Sequence, residues 1–156
     1  MTGPLKRQLS TEQRSIIFSF LNAQSTLSLA TVDEFGKPQV APVFYISDDA
    51  LNLYWLSSAD SRHSVNLTSR QVVAATIYPN IWQWKDIRGL QIEGTAEAVQ
   101  DDRVREQILT LYLRKFTLPP DLDSQIAAST LYIMTPAWIR WSDNGVRFGF
   151  RIEATL

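Results

Sequence analysis

Three polar residues, Ser61, Arg62 and His63, stand together in the sequence at a point where they could bind an anion. They follow the apolar run at 51–57 and open a predicted helix. A cation in the first turn of a helix opposes the helix dipole, at a cost of roughly 0.3–1 kcal/mol when it is exposed. Either these cations are solvated or paired with Asp60, or they bind a phosphate together with the free N–H groups of the helix start. The residues alone leave both interpretations open.

Many common catalytic chemistries are excluded by what the chain lacks. It has no cysteine, which excludes disulfides, thiol nucleophiles and cysteine-ligated metals, and its single histidine argues against a zinc site. A Ser-His-Asp triad would have to use His63, which accompanies no nucleophile motif. The motifs G-x-G-x-x-G and G-x-x-x-x-G-K are also missing. We therefore expect a cofactor to supply any chemistry, and we identify no catalytic acid or base.

Length, composition and charge favour one globular domain. The 156 residues are 45% hydrophobic and no linker divides them, so we predict a single domain over residues 1–156. A net charge of −1 with scattered basic residues argues against a nucleic-acid surface. No apolar run approaches the roughly 20 residues of a membrane span, and residues 1–10 lack the apolar core of a signal peptide. We expect a cytoplasmic protein without membrane or nucleic-acid partners.

The elements that must position these residues are mostly strands. Ser10 and Gln13 have the spacing of a capping box and open the first predicted helix. Further helices are predicted over about 61–69 and 101–114, and 115–124 is predicted to be a loop. The predicted strands are TLSLATV, PQVAPVFYI, LNLYWLS, VVAATIY, RGLQIEGTAEAV, STLYIMTPAWIRW and VRFGFRIEA.

Prolines and a turn sequence predict further detail in the strands. Pro38 and Pro42 cannot donate to a strand ladder, so their strand must have an edge or a bulge at those points. Asp143-Asn144-Gly145 predicts a hairpin turn. The turn would lead directly into the last strand, where Val146 and Phe148 alternate with polar residues.

The pattern of elements predicts the fold class. The clearest alternation puts Leu90 and Ile92 on one face of a strand and Gln91 and Glu93 on the other. Strands joined mostly by hairpins, with three helices on the outside, favour a mainly β protein built as a small antiparallel barrel. The strands do not alternate regularly with helices, which argues against a doubly wound fold.

Three segments resemble, in order and spacing, the pyridoxamine 5'-phosphate oxidase-like, FMN-binding split-barrel superfamily. They are LATVDEFGKPQVAPVFYI, LYWLSSADSRHSVNL and RGLQIEGTAEAV. The resemblance extends over about residues 15–154 and implies an antiparallel split β-barrel of six to seven strands with flanking helices, with FMN as its cofactor. The ending DNGVRFGFRIE is more similar to small uncharacterised flavin-binding members than to true pyridoxamine phosphate oxidases.

The resemblance also implies a set of contacts with FMN. Ser61-Arg62-His63 matches the Ser-Arg-Lys element that grips the FMN phosphate in this superfamily. Gly89 occupies the position of a flavin-binding glutamine, and Gln91, on the same face, is the substitute we expect; its alternative is a solvated strand residue. The other implied contacts are backbone groups near Pro42, Val43 and Phe44 at the ring, Leu56 and Ser57 beside the ring and phosphate arm, and Trp141 and Arg151 from the C-terminal pattern.

Two departures from the superfamily pattern change what we expect. His63 stands where lysine is usual, which weakens the cation near neutral pH and predicts pH-sensitive phosphate binding. Gly149 and Phe150 fall where true pyridoxamine phosphate oxidases have a histidine, and Arg147 is interpreted as part of a polar strand face. Oxidation of vitamin B6 compounds is therefore not expected, whereas flavin binding is.

The resulting functional hypothesis is an FMN-dependent oxidoreductase that acts on a small molecule with an electron donor such as NADPH. The resemblance implies a homodimer with the flavin sites at its interface. Trp82, Trp84, Trp138 and Trp141 could shield the ring or simply belong to the core. The alternatives are a non-catalytic module that holds a flavin, a tetrapyrrole or a nucleotide-like ligand, and a deazaflavin-dependent reductase.

Overall fold

The computed structural model describes residues 8–156, so the first seven residues of the predicted domain, where no signal-peptide core was expected, lie outside it. The strands form one sheet: β1 Thr26–Val32, β2 Pro38–Phe44, β3 Ile46–Ser47, β4 Leu53–Ser57, β5 Val72–Ile77, β6 Arg88–Ala98, β7 Thr130–Asp143 and β8 Arg151–Thr155. The helices are α1 Thr11–Ala23, α2 Arg62–Ser69, α3 Asp102–Lys115 and α4 Asp123–Ala128. Within the described residues, no helix has the length and apolar character needed to cross a membrane.

The sheet curls because its two ends are formed by neighbouring segments of the chain. The strand order is β2-β1-β5-β6-β7-β4-β3, with β8 paired to β7, and all pairs are antiparallel. Only Tyr45 separates β2 from β3. The prediction of a mainly β, antiparallel split barrel with flanking helices is confirmed, and counting the two-residue β3 brings the strands to eight. Pro38 and Pro42 lie on β2, an edge of this order, as their missing N–H groups require.

The inner face of the curled sheet forms the main hydrophobic core. Leu90 and Ile92 are 1% and 2% exposed, whereas Gln91 and Glu93 point outward, which confirms the predicted alternation. Trp55 of β4 is completely buried in the same core. Burial of large apolar side chains of this kind contributes about 1.5–3 kcal/mol each to folding.

Helix α1 packs its apolar side against this core. The predicted capping box is present: Ser10 Oγ accepts the N–H of Gln13 at 3.1 Å, and Gln13 Oε1 accepts the N–H of Ser10 at 3.0 Å. Ile17 and Leu21 are 1% and 0% exposed. The Tyr45 hydroxyl, between β2 and β3, donates to the Leu21 carbonyl at 2.7 Å and fixes the helix end on the sheet.

The C-terminal hairpin differs from its prediction. Asp143-Asn144-Gly145 does not lead directly into a strand; residues 144–150 form a longer loop, and β8 begins only at Arg151. The expected strand positions Val146 and Phe148 are 61% and 77% exposed. The physical reason is a long-range contact, because the Asn144 N–H and side chain donate to carbonyls of the β5–β6 loop at 2.8 Å each.

The segment predicted as a loop at 115–124 is also more regular than expected. Lys115 still belongs to α3, a 3-10 turn covers Pro120–Leu122, and α4 begins at Asp123. Pro120 lies in the first turn of that 3-10 segment, where its fixed φ is tolerated. Short helices of this kind carry no clear apolar period, which is why the sequence predicted three helices and the structure has four among the described residues.

Candidate functional site

The junction between β4 and α2 holds the residues that the sequence marks as candidates for anion binding. Ser57 ends β4 and, after a short turn, Ser61 is the N-cap of α2. The Ser61 side chain makes no capping hydrogen bond, and the first turn contains no acidic residue. The N–H groups of Arg62, His63 and Ser64 have no acceptor among residues 8–156. The helix start thus offers three N–H donors at the positive end of its dipole.

Four side chains at this junction form a hydrogen-bonded group that we call the serine–histidine cluster: Ser57, Ser61, His63 and Ser64. His63 Nε2 lies 2.7 Å from Ser57 Oγ and 3.2 Å from Ser61 Oγ. The Ser57 and Ser61 oxygens are 3.2 Å apart, and the Ser61 hydroxyl donates to Ser64 Oγ at 2.8 Å. Ser64 was not predicted from the sequence, although its position one helical turn after Ser61 is a usable signal.

The environment of His63 favours a neutral imidazole. The residue is 9% exposed, and burial lowers the pKa of the imidazole below its usual value. Its Nε2 is engaged by hydroxyl groups, and no carboxylate contacts it among the described residues. The lowered pKa agrees with the sequence-based expectation that histidine in place of the superfamily lysine weakens the cation near neutral pH. His63 contributes hydrogen bonding to the junction instead of charge.

Arg62 is the cation of the junction. Its side chain is exposed and makes no hydrogen bond or salt bridge with another described residue. Asp60, the partner considered from the sequence, instead accepts a hydrogen bond from the Ser58 hydroxyl. The guanidinium is therefore available to an anion at the start of α2.

Gln91 and Pro42 lie elsewhere, in one row across the outer face of the sheet. Gln91 pairs with Thr76 of β5, Thr76 is in line with Ser28 of β1, and Ser28 pairs with Pro42 of β2. With strands about 4.8 Å apart, the two ends of this row are separated by roughly 14 Å. The row crosses the face opposite the main core.

Two adjoining cavities follow this row. One of about 250 Å³ contains Gln91, Glu93 and Trp138 over a mostly apolar floor. The other, of about 470 Å³, contains Pro42 and has a more polar lining. The cavities meet at Ser28 and Thr76, and neither is lined by a member of the serine–histidine cluster. An apolar cavity with a few polar groups is the usual form of a small-molecule site.

The family of the chain follows from a match over most of its length. A family model for pyridoxamine 5'-phosphate oxidase matches residues 16–142. The chain belongs to this family. The matched part contains both the β4–α2 junction and the strand that carries Gln91. No curated protein sequence matches the chain.

Solved structures share the fold of this pyridoxamine 5'-phosphate oxidase family member. The heme storage protein HutZ from Vibrio cholerae is 25% identical, with a TM-score of 0.67 over 78% of this chain and 88% of its own. ChuZ from Campylobacter jejuni is 13% identical, with a TM-score of 0.77 over 96% of this chain and 61% of its own. General stress protein 26 from Bacillus anthracis is 19% identical, with a TM-score of 0.64 over 92% and 98%.

The remaining residues expected at the flavin ring of the family member are dispersed. Val43 is 8% exposed and faces the core, whereas Phe44 is 55% exposed and packs edge-on against Phe116, with ring centroids 5.2 Å apart. Leu56 is half-buried against the second, smaller hydrophobic cluster beneath α3. These side chains therefore pack between elements of the fold. The ring contacts expected at Pro42, Val43 and Phe44 would be made by backbone groups, so the positions of the side chains do not test them.

Structural contacts account for Trp141, Arg151 and Gly89, which the family resemblance places at the flavin. Trp141 is 4% exposed and edge-on to Phe20, with centroids 4.7 Å apart, so it belongs to the core and not to the outer face. The exposed Arg151 has its Nε 3.8 Å from Glu153 Oε1. A Cβ at Gly89 would lie 2.9 Å from the Ile77 carbonyl oxygen, which accounts for glycine at this position.

The other tryptophans considered for shielding differ in exposure. Trp138 lines the 250 Å³ cavity, and Arg140 lies over its ring with 5.3 Å between the guanidinium carbon and the centroid. Arg140 is held there by Glu153, at 2.8 Å. Trp82 and Trp84 are 91% and 75% exposed on the β5–β6 loop. Trp138 is thus the tryptophan that shares a cavity with Gln91.

Proposed function

We propose that this protein is an FMN-binding flavoprotein whose β4–α2 junction holds the FMN phosphate. The observation that carries the proposal is the grouping of donors at that point: three N–H groups unpaired among residues 8–156, the guanidinium of Arg62 and the hydroxyl of Ser57. No acidic residue lies in the first turn of α2 to compete. A phosphate monoester accepts hydrogen bonds from such donors and is stabilised by the helix dipole.

The donor set fits a flavin phosphate better than it fits heme. HutZ, a heme storage protein, shares the fold, so a tetrapyrrole is the first alternative. Protein ligands to heme iron are commonly histidine, cysteine, methionine or tyrosine. His63 is 9% exposed and bonded to serines, Met134 is completely buried, and the chain has no cysteine. Tyr78, 63% exposed, is the tyrosine that a heme iron could reach among the described residues, and it lies away from the β4–α2 junction. A flavin needs no such ligand.

The proposed activity is an FMN-dependent oxidoreduction of a small molecule, with a donor such as NADPH. Bound FMN would supply the transfer of hydride or electrons. The chain's own residues would anchor the phosphate through Arg62 and the Ser57 hydroxyl, and Gln91 would hydrogen-bond the ring edge. The junction residues would bind the cofactor and orient it for the reaction.

A homodimer would bring the β4–α2 junction of one subunit and the outer-face residues Gln91 and Pro42 of the other to one ligand. Gln91 and Pro42 line cavities on the outer face that contain no member of the serine–histidine cluster. A second copy placed against that face could present its own β4–α2 junction to Gln91. Val40 and Val72, exposed at 64% and 71%, add apolar area to the same side of the sheet.

Identification of the bound cofactor tests the proposed function. We expect purified protein to carry FMN, identified by absorbance and mass, and the flavin to be bleached by NADPH or NADH. Bound flavin that no reduced donor bleaches would favour a non-catalytic module. A deazaflavin or a tetrapyrrole in the extract would assign the alternative cofactor, and protein with no affinity for FMN would contradict the proposal.

A further inference from the structure

We infer that His63 is a positioning residue that directs the Ser57 hydroxyl onto the bound phosphate. The inference rests on the proposed phosphate site and assigns how a neutral histidine works where the superfamily has a cation. Ser57 ends β4 and His63 lies in the first turn of α2, so their contact also fixes the strand end against the helix start.

The position of the single hydrogen on the His63 imidazole decides whether the Ser57 hydroxyl can donate to a phosphate. A neutral imidazole has one N–H and one lone pair, so Nε2 either donates or accepts. If Nε2 carries the hydrogen, it donates to Ser57 Oγ across the 2.7 Å contact, and the Ser57 hydrogen can turn either to an anion or to Ser61 Oγ, 3.2 Å away. If Nε2 carries the lone pair, the Ser57 hydroxyl must donate to it and is lost to an anion. A phosphate, which presents strong acceptor oxygens, selects the first arrangement.

Ser57 is the serine whose hydroxyl His63 can direct, because Ser61 and Ser64 are engaged or buried. The Ser61 hydroxyl donates to Ser64 Oγ at 2.8 Å, so its hydrogen is already engaged inside the cluster. The Ser61 oxygen is also 3.2 Å from His63 Nε2, longer than the 2.7 Å of Ser57. Ser64 is 1% exposed and cannot reach a ligand in solution without movement. A bound phosphate is a stronger acceptor than the Ser61 hydroxyl, so the chain of donors then runs from His63 Nε2 through Ser57 to the phosphate.

Comparison of FMN with riboflavin isolates this role, because riboflavin has the same ring without the phosphate. The dissociation constants of both are measured by flavin fluorescence for wild type, Ser57→Ala, His63→Leu and His63→Gln, with Ser69→Ala at the far end of α2 as the matched control. His63→Leu and Ser57→Ala should each lower the preference for FMN over riboflavin by about tenfold. Ser69→Ala should leave it unchanged.

Two further results are specific to positioning. His63→Gln should restore most of the preference, because the glutamine amide can donate an N–H to Ser57. The double variant Ser57→Ala/His63→Leu should lose no more than either single variant, because both changes break the same chain. Additive losses, or an unchanged preference in His63→Leu, would overturn the inference while leaving FMN binding intact.

The wild-type protein provides a measurement that does not depend on the folding of variants. In the FMN complex, nitrogen NMR of the imidazole should report a hydrogen on Nε2. A lone pair on Nε2 in that complex would overturn the inference. Wild-type protein that binds riboflavin as tightly as FMN, or binds neither, would instead overturn the proposed phosphate site.

Discussion

Arg62 is expected to have opposite effects on FMN affinity and on folding stability. Arg62→Ala should weaken FMN binding by about 1.5–3 kcal/mol, the scale of a hydrogen bond to a charged group. The same change should raise the free energy of unfolding of the apoprotein by roughly 0.3–1 kcal/mol, because it removes a cation from the helix N-terminus. FMN titration and denaturant unfolding measure the two effects.

Arg70→Ala is the matched control for Arg62. Arg70 is the C-cap of the same helix and its side chain donates to the Glu34 carbonyl at 3.0 Å. Its loss should reduce stability and leave FMN affinity unchanged. Unchanged affinity in Arg62→Ala would assign Arg62 to the solvated cations considered from the sequence.

Burial of His63 predicts a pH dependence of stability. Its pKa is lower in the folded protein than in the unfolded chain, whose value is about 6.5. Below about pH 6.5 the unfolded chain therefore takes up a proton that the folded protein resists, and the free energy of unfolding falls. Above that pH this loss is absent, because the imidazole is neutral in both states.

Denaturant unfolding at about pH 7.5 and 5.5 checks this dependence. Wild type should lose more stability on acidification than His63→Gln, which has no imidazole to protonate. Equal losses in the two proteins would mean that His63 does not resist protonation. FMN affinity that simply declined above pH 6.5 would instead favour the cationic role expected from the sequence.

At the scale of elements, the β6–β7 pair depends on a glycine at its bulge. The register between these strands shifts between Glu93 and Gly94. A Cβ at Gly94 would overlap the Thr135 carbonyl and lie 3.0 Å from Pro136 Cα. Gly94→Ala should therefore destabilise the protein by roughly 1–3 kcal/mol in denaturant unfolding. Glu97→Ala, on an exposed position of the same strand, should change stability by less than about 0.5 kcal/mol.

The C-terminal loop illustrates why one element was mispredicted. Asn144 and Gly145 carry a local hairpin signal. In the structure, Asn144 is engaged by the carbonyls of Trp84 and Ile87, and Gly149 supplies a left-handed φ of +73° that bends the chain before β8. Contacts with residues nearly sixty positions away outweigh the local preference. The strand ladder resumes only where β8 can pair with β7.

At the scale of the whole molecule, the proposed homodimer can be tested through Ala74. This residue lies on the outer face and lines the cavity that contains Gln91. We expect the wild type to be a dimer by light scattering, and Ala74→Arg to shift it to a monomer because an unpaired charge would enter the interface. The monomer should also bind FMN more weakly, although Ala74 is not part of the β4–α2 junction.

Gln107→Arg is the control for this test, since it introduces the same charge on the exposed side of α3. It should remain dimeric and bind FMN normally. A wild-type monomer would contradict the proposed assembly. A dimer that tolerates Ala74→Arg would mean that another surface forms the interface.

Local physical rules let the sequence by itself determine much of the protein. The two-residue alternation around Leu90 and Ile92 predicted a buried strand face, the Ser10 capping box predicted a helix start, and two prolines predicted an edge or a bulge, of which the structure shows the edge. The order of three segments also predicted the family that the family model confirms. These signals work because each depends on residues that are close in the chain.

Only the tertiary structure decided the state of His63 and the separation of Gln91 from the β4–α2 junction. The pKa of His63 is lowered by burial, and its Nε2 contacts Ser57; neither can be inferred from the spacing of Ser61, Arg62 and His63. Gln91 lies on the outer face because of strand pairing across β1, β5 and β6. Desolvation and long-range pairing are properties of the assembled fold, because they depend on which distant segments surround a residue.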